Sequence, residues 1–217
     1  MVTTTQMTGT KTQTAARARD GRSTREAIVS AAMRLIHVNG YNATALDDVL
    51  RESGVGKGNF YYHFKSKEDL GYAILDKIVA GFLERTLEPC FADASASPLG
   101  QIRCLLDRVL EAQRERNCVG GCVMGNLASE LSDVHEGFRA RLATLFRAWQ
   151  ARLAAALESA RRHGELATTS DPDAIARFVV ASLEGAILLA KVSKDIRVME
   201  QCVGELKRYL SLHEVRA

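Results

Sequence analysis

At 217 residues, 47% of them hydrophobic and with a net charge of +3, the chain can bury a sizeable core. No stretch approaches the run of about 18 apolar residues that spans a bilayer, and the polar opening MVTTTQMTGTKTQTAARARDGRS lacks the apolar segment of a secretory signal. Cys90, Cys104, Cys118, Cys122 and Cys202 form no CxxC pair and no disulfide-framework spacing, so a reduced, soluble, cytoplasmic protein with no membrane partner is expected.

The charge excess sits at the start. Residues 1–23 carry Lys11, Arg17, Arg19 and Arg22 against Asp20, already +3, in a Thr/Gln/Ala/Arg segment too polar to fold alone. A disordered basic arm beside a small domain points to nucleic acid; an ordinary disordered terminus is the other reading. Ser23-x-x-Glu26 has the form of a capping box, after which Ala27, Ile28, Ala31, Leu35 and Val38 recur at helical spacing up to Gly40. Thr44-x-x-Asp47 opens a short second helix carrying Leu46, Val49 and Leu50, which stops at Ser53-Gly54. A third lies within 57–64. Ser66-x-x-Asp69 starts a long helix that ends before Pro89, because proline cannot continue one. Further helices are predicted over 99–116, 121–133, 136–163, 172–193 and 196–212. The expected fold is all-α, about nine helices, without strands or repeats.

The segment GVGKGNFYYHFKSKEDL, residues 54–70, concentrates aromatics among basic residues. Two short helices joined by a glycine-containing turn make a helix-turn-helix, whose second helix lies in the DNA major groove. Gly54 supplies the turn where φ is positive. Phe60 and Phe64 anchor the short third helix from beneath. Lys57, Asn59, Tyr61, Tyr62 and His63 remain for the opposite face, as donors to phosphates and flat faces for sugars or thymine methyls. Lys67 opens the next helix, where a phosphate meets both a cation and free backbone N–H groups.

From Thr44 through VGKGNFYYHFKSKEDL to Leu70 the chain resembles the DNA-binding signature of the TetR family of bacterial transcriptional regulators. The resemblance implies a three-helix DNA-binding domain over 24–70 and a helical ligand-binding and dimerisation domain over 71–217. It implies a dimer bound to a palindromic operator in double-stranded DNA and released by a small-molecule effector. Matched residue by residue, Thr44 would hold a phosphate at the start of the second helix. Lys57, Gly58, Asn59, Tyr61, Tyr62 and His63 would lie on the recognition helix, and Lys67 on a backbone phosphate.

In 172–193, large apolar residues alternate with Ala181, Ser182, Gly185 and Ala186, which let another helix come close. Burial within one chain explains this as well as a partner does; the resemblance favours a homodimer built from this helix and the next. Another unusual stretch is NCVGGCVMGNLASELSD, 117–133. A cysteine at a helix start has a lowered thiol pKa, which makes Cys122 a candidate sensor; an inert buried cysteine is the alternative. The C-x3-C spacing of Cys118 and Cys122 is poor for zinc, and no metal or cofactor is expected. GCVMGNLASELSD is similar to a TetR-family subgroup in which some members answer to electrophiles, and this resemblance implies an electrophile or a small carbonyl or acid as the expected effector. The family's cavity among the middle helices implies a lining from Cys104, Arg108, Cys122, Asn126, Phe146 and Trp149, with Arg108 and Asn126 holding a carboxylate or carbonyl. The leading expectation is a non-catalytic repressor. The alternatives are a constitutive architectural DNA-binding protein, and an enzyme with Cys122 as nucleophile and His135 or His163 as base.

Overall fold

The computed structural model describes residues 9–93 and 95–215, with side chains from residue 21 onward. It is all-helical, as the periodicity predicts: α1 (Gly9–Asn39), α2 (Leu46–Ser53), α3 (Lys57–His63), α4 (Lys67–Phe82), a π-helical turn (Leu83–Leu87), α5 (Glu88–Phe91), α6 (Pro98–Glu115), α7 (Val123–Leu131), α8 (Glu136–Arg162), α9 (Pro172–Ser193) and α10 (Ile196–Leu212). With α4, the π turn and α5 taken as one path, these are nine helical rods, and the described residues contain no strand. The chain divides into two compact units, Met1–Ile74 and Leu75–Ala217. That division falls inside α4, four residues beyond the boundary read from the sequence.

In the first unit α1 is longer than its predicted capping box allows. It begins at Gly9 and runs through Ser23 and Glu26, so that pair lies inside the helix and caps nothing. The Ala and Arg residues between 15 and 25 are good helix formers, and a helix already nucleated on the apolar 28–36 stripe extends through them at little cost. Residues 9–23 are therefore helical, where the sequence reading had a disordered arm; residues 1–8 of that arm lie outside the described residues. Ile28, Val29, Ala31, Ala32 and Ile36 of α1 are buried with Val49, Phe60, Phe64, Leu70 and Ile74 in this unit's core. Gly54 closes α2 at φ +66°, and its N–H reaches the carbonyls of Leu50 and Arg51. A side chain at that φ would be strained, so the turn between α2 and α3 requires glycine.

In the second unit α6, α8, α9 and α10 pack around Leu105, Leu106, Leu153, Leu157, Leu183, Met199 and Leu210. Helix ends follow their caps: the Ser97 hydroxyl accepts from Gly100 N–H at 3.1 Å, and the Asp171 carboxylate from Asp173 and Ala174 N–H at 3.0 and 3.1 Å. Pro89 does not stop the fourth helix as expected. Having no N–H, it leaves the Arg85 carbonyl without its i+4 donor. The backbone widens instead into the π turn, where Glu88 N–H reaches Leu83 O. Arg108 of α6 then donates to the orphaned Arg85 carbonyl through Nε, at 3.2 Å, and Nη2.

The five cysteines also differ from expectation. Cys90 of α5 and Cys104 of α6 are joined in a disulfide, while Cys118, Cys122 and Cys202 are free thiols. Fourteen residues of separation say nothing of pairing until α5 is laid on α6. Among the described residues no helix is long and apolar enough to cross a membrane.

Candidate functional site

Seven residues cannot hold a helix by themselves, so α3 depends on what it packs against. Phe60 is 0% exposed, and its ring lies 5.7 Å from that of the buried Phe64. The Arg25 guanidinium of α1 sits 5.0 Å from the Phe64 centroid and closes the underside. With both phenylalanines turned inward, Lys57, Gly58, Asn59, Tyr61 and Tyr62 are exposed, Tyr62 at 80%. His63 is half-buried, edge-on to Tyr62 at 4.9 Å. One helix thus offers a cation, an amide and two phenols on the face opposite its anchors.

Lys67 begins α4, with its Nζ 4.5 Å from the Tyr41 ring centroid. Ser66 caps that helix: its hydroxyl accepts from Asp69 N–H at 3.1 Å, and the Asp69 carboxylate accepts from Lys65 N–H at 3.1 Å. Thr44 is placed differently from the prediction. It is 1% exposed, and its hydroxyl donates to the Gly40 carbonyl at 2.7 Å, so it fixes the turn between α1 and α2. The residue preceding α2 is Ala45, with no side-chain cap, so the expected Thr44 capping box does not form.

A second constellation surrounds α7. The loop before it is unusual in backbone: Asn117 and Cys118 have φ of 51° and 58°, and Gly120 and Gly121 have 78° and 70°. Two non-glycine residues in the left-handed region store strain, a recurrent mark of ligand clamps and switches. Cys122 caps α7, its sulfur accepting from Gly125 N–H at 3.4 Å. A helix start ordinarily favours thiolate, but here burial dominates and pushes the thiol up to about 12, with the Glu184 carboxylate adding to the rise. The N–H groups of Gly125 and Met124 pull the other way and lose. Cys122 is therefore held as a protonated thiol, the reverse of the lowered pKa expected from its position.

Glu184 and Lys191 of α9 complete the cluster. Burial raises the Glu184 pKa, and its Oε1 is buried without a hydrogen-bond partner. Asn126 Nδ2 donates to the Gly120 carbonyl at 2.6 Å, and Lys191 Nζ donates to Asn126 Oδ1 at 3.1 Å. The glycines make this approach possible: a Cβ on Gly125 would stand 2.5 Å from Glu184 Oε2, and one on Gly121 2.9 Å from Lys191 Cδ. Sequence reading missed Glu184 and Lys191. Their signal was two charges seven residues apart, on one face of an otherwise apolar helix.

The remaining predicted lining residues do not join this cluster. Arg108 is exposed and committed to the Arg85 carbonyl, so it is not paired with Asn126 around a ligand. Cys104 is bonded to Cys90. Phe146 and Trp149 stack at 6.3 Å, and Trp149 meets Phe82 edge-on at 5.2 Å. An open cavity of about 550 Å³ lies elsewhere, between α4 and the π turn on one side (Leu75, Val79, Leu83) and α8 on the other (Ala140, Thr144, Leu145). Among the described residues no group of three His, Cys, Asp or Glu side chains is gathered to hold a metal.

Residues 28–74 match the family model "Bacterial regulatory proteins, tetR family", and residues 98–205 match "Tetracyclin repressor-like, C-terminal domain". Transcriptional regulator AcuR of Cereibacter sphaeroides is 33% identical over 167 residues, covering 77% of this chain and 76% of that one. The crystal structure of a TetR transcriptional regulator from Chloroflexus aurantiacus matches with a TM-score of 0.83 at 29% identity, over 92% of this chain and all of the other. That of Escherichia coli NemR in its reduced form matches with a TM-score of 0.77 at 28% identity, over 85% and 95%. The helix-turn-helix with its outward aromatic face and the helical unit that follows it are matched in the same chain order, and the chain belongs to the TetR family of bacterial transcriptional regulators.

Proposed function

We propose that the protein is a cytoplasmic repressor that binds a palindromic operator in duplex DNA as a homodimer and releases it when a small molecule occupies the second unit. The observation that carries this reading is α3, where buried Phe60 and Phe64 turn Lys57, Asn59, Tyr61 and Tyr62 outward. Two copies on a two-fold site present two such helices to successive major grooves. Footprinting on the DNA flanking its own gene, with and without candidate effectors, tests it. A protected palindrome released by an effector is expected; protection that no effector relieves would favour the architectural reading.

The DNA-facing residues divide into two roles. Lys67→Ala should weaken binding to all sequences alike and reduce the salt slope by about one unit, the loss of one phosphate contact. Asn59→Ala should change base preference, at about 1–3 kcal/mol for a lost base-edge contact. Titrations at several salt concentrations against operator and scrambled DNA separate the two. A Lys67→Ala protein with an unchanged slope would remove the phosphate role.

For the effector, the supported site is the cluster of Cys122, Glu184, Asn126 and Lys191. A small electrophilic carbonyl or unsaturated acid fits its chemistry: a thiol to add to it, and Lys191 to hold a carboxylate or carbonyl oxygen. With the thiol raised to about 12, only about one molecule in ten thousand is thiolate at pH 8, so the resting state is guarded against indiscriminate reaction. Glu184→Gln removes a neighbouring negative charge, so the Cys122 pKa should fall and its alkylation by iodoacetamide at pH 8 should speed up severalfold. Peptide-resolved mass spectrometry distinguishes Cys122 from Cys118 and Cys202. An unchanged rate would mean that burial alone guards the thiol. The two histidines of the enzyme reading have other contacts. The His135 ring packs edge-on to Phe138 at 4.9 Å, and His163 Nδ1 lies 2.8 Å from the Ser159 carbonyl, whereas the thiol's acidic neighbour is Glu184.

A further inference from the structure

We propose that Cys90 and Cys104 are a reversible redox site, oxidised by low-molecular-weight disulfides, that clamps α5 onto α6 and thereby tunes operator affinity. The part concerning DNA rests on the repressor reading above. In a protein of a reducing compartment a disulfide is usually transient and redox-sensing rather than structural. Its location matches such a role.

The four-residue α5 is too short to hold its own conformation, and it follows the π turn into which the backbone widens ahead of Pro89. Three tethers secure this segment. Arg108 holds the Arg85 carbonyl, the Arg152 guanidinium lies 4.2 Å from the Phe91 ring centroid, and the disulfide joins α5 to α6 with a Cα–Cα distance of 5.6 Å. The disulfide alone can be made and broken by chemistry. No loop interrupts the path from Lys67 through α4 and the π turn to Cys90, so the clamp acts on the same helical path that begins at a DNA-facing residue.

The two cysteines are unequal in access. Cys90 is 2% exposed and Cys104 only partly buried. In the reduced protein, Cys104 loses its proton and attacks one sulfur of a disulfide RSSR, expelling RS⁻ and forming a mixed disulfide. Cys90 then loses its proton and attacks Cys104 Sγ, expelling the second RS⁻. Two protein thiols become one disulfide, RSSR becomes two RSH after protonation, and two electrons pass from protein to RSSR. Reduction by excess thiol runs the same steps backward.

The test equilibrates full-length Cys122→Ser protein, which removes the other candidate sensor, in glutathione buffers from fully reduced to fully oxidised. Intact mass after acid quench and alkylation counts the thiols, hydrogen exchange follows residues 83–91, and operator Kd is measured at each ratio. The expected result is a two-thiol transition within the range, weaker protection of 83–91 in the reduced form, and a Kd differing at least about fivefold between the end states, the lower limit of usual allosteric coupling. The same Cys122→Ser protein with Cys90→Ala/Cys104→Ala added should show the reduced form's Kd at every ratio. A pair that stays oxidised, or stays reduced, across the whole range overturns the proposal, as does a full transition with equal Kd at both ends. Failure to bind DNA in any state would instead defeat the repressor reading, and the thiol count and exchange data would still decide whether the pair is a reversible clamp.

Discussion

Phe60→Ala protein is expected to lose operator binding altogether, with its first unit destabilised by about 3–5 kcal/mol. Phe60 is fully buried in a seven-residue helix whose other anchor, Phe64, is its ring neighbour. Removing the larger part of that anchorage leaves a cavity under a helix that has no independent stability, so α3 should detach before the rest of the unit melts. The single tryptophan, Trp149, is buried in the second unit and supplies an internal control. Its fluorescence transition in denaturant should hardly move, while far-UV circular dichroism loses amplitude at lower denaturant concentration. Tyr62→Ala is the contrast. At 80% exposure it should change stability by no more than about 0.5 kcal/mol, yet weaken operator binding. A Phe60→Ala protein that still binds operator would mean that α3 does not present the DNA-facing side chains.

Features encoded locally were legible in the sequence. Ser66 with Asp69, Asp171 before Pro172, and Gly54 each act within one turn of where they stand, and the helices they bound begin and end close to the expected residues. The division of α3 into buried Phe60 and Phe64 against exposed tyrosines followed from spacing around a short helix. Long-range placement was not legible. Thr44 and Asp47 have the spacing of a cap, but the hydroxyl's better partner is the Gly40 carbonyl, which only the folded turn supplies. Pro89 has a local rule, stop the helix, that was overridden because Arg108, nineteen residues on, satisfies the orphaned carbonyl. The same docking of α5 on α6 brings Cys90 to Cys104. For Cys122, position at a helix start argued for thiolate; burial in the folded unit reversed the sign, and the Glu184 carboxylate from a helix some sixty residues later adds to the rise. At Gly121 and Gly125 the missing side chains leave room for Lys191 and Glu184 of α9, an element that the local sequence does not name.

The outer face of α9 carries the second large effect. One face is core: Ile175, Val179, Leu183, Ala186, Ile187 and Ala190 are buried. The other is also apolar, with Phe178, Ala181, Gly185, Leu188, Leu189 and Val192 exposed in one stripe at helical spacing. A helix with two apolar faces needs a partner for each, and a second copy of the chain covers the outer one in the proposed dimer. Small residues at 181 and 185 allow the partner backbone close, and Leu188 and Val192 supply the contact area. Leu188→Glu/Val192→Glu should therefore yield a monomer in sedimentation at micromolar concentration, four new carboxylates having entered an isologous interface. Each residue is more than half exposed in the isolated chain, so the monomer's own stability should barely change. Operator affinity should fall by about 100-fold or more, because the second half-site is no longer bound at the effective concentration that tethering provides. Affinity for an isolated half-site should stay the same, since α3 is untouched. A variant that remains dimeric would move the interface away from this face, and one that loses half-site binding in proportion would show that the substitutions had damaged the fold rather than the pairing.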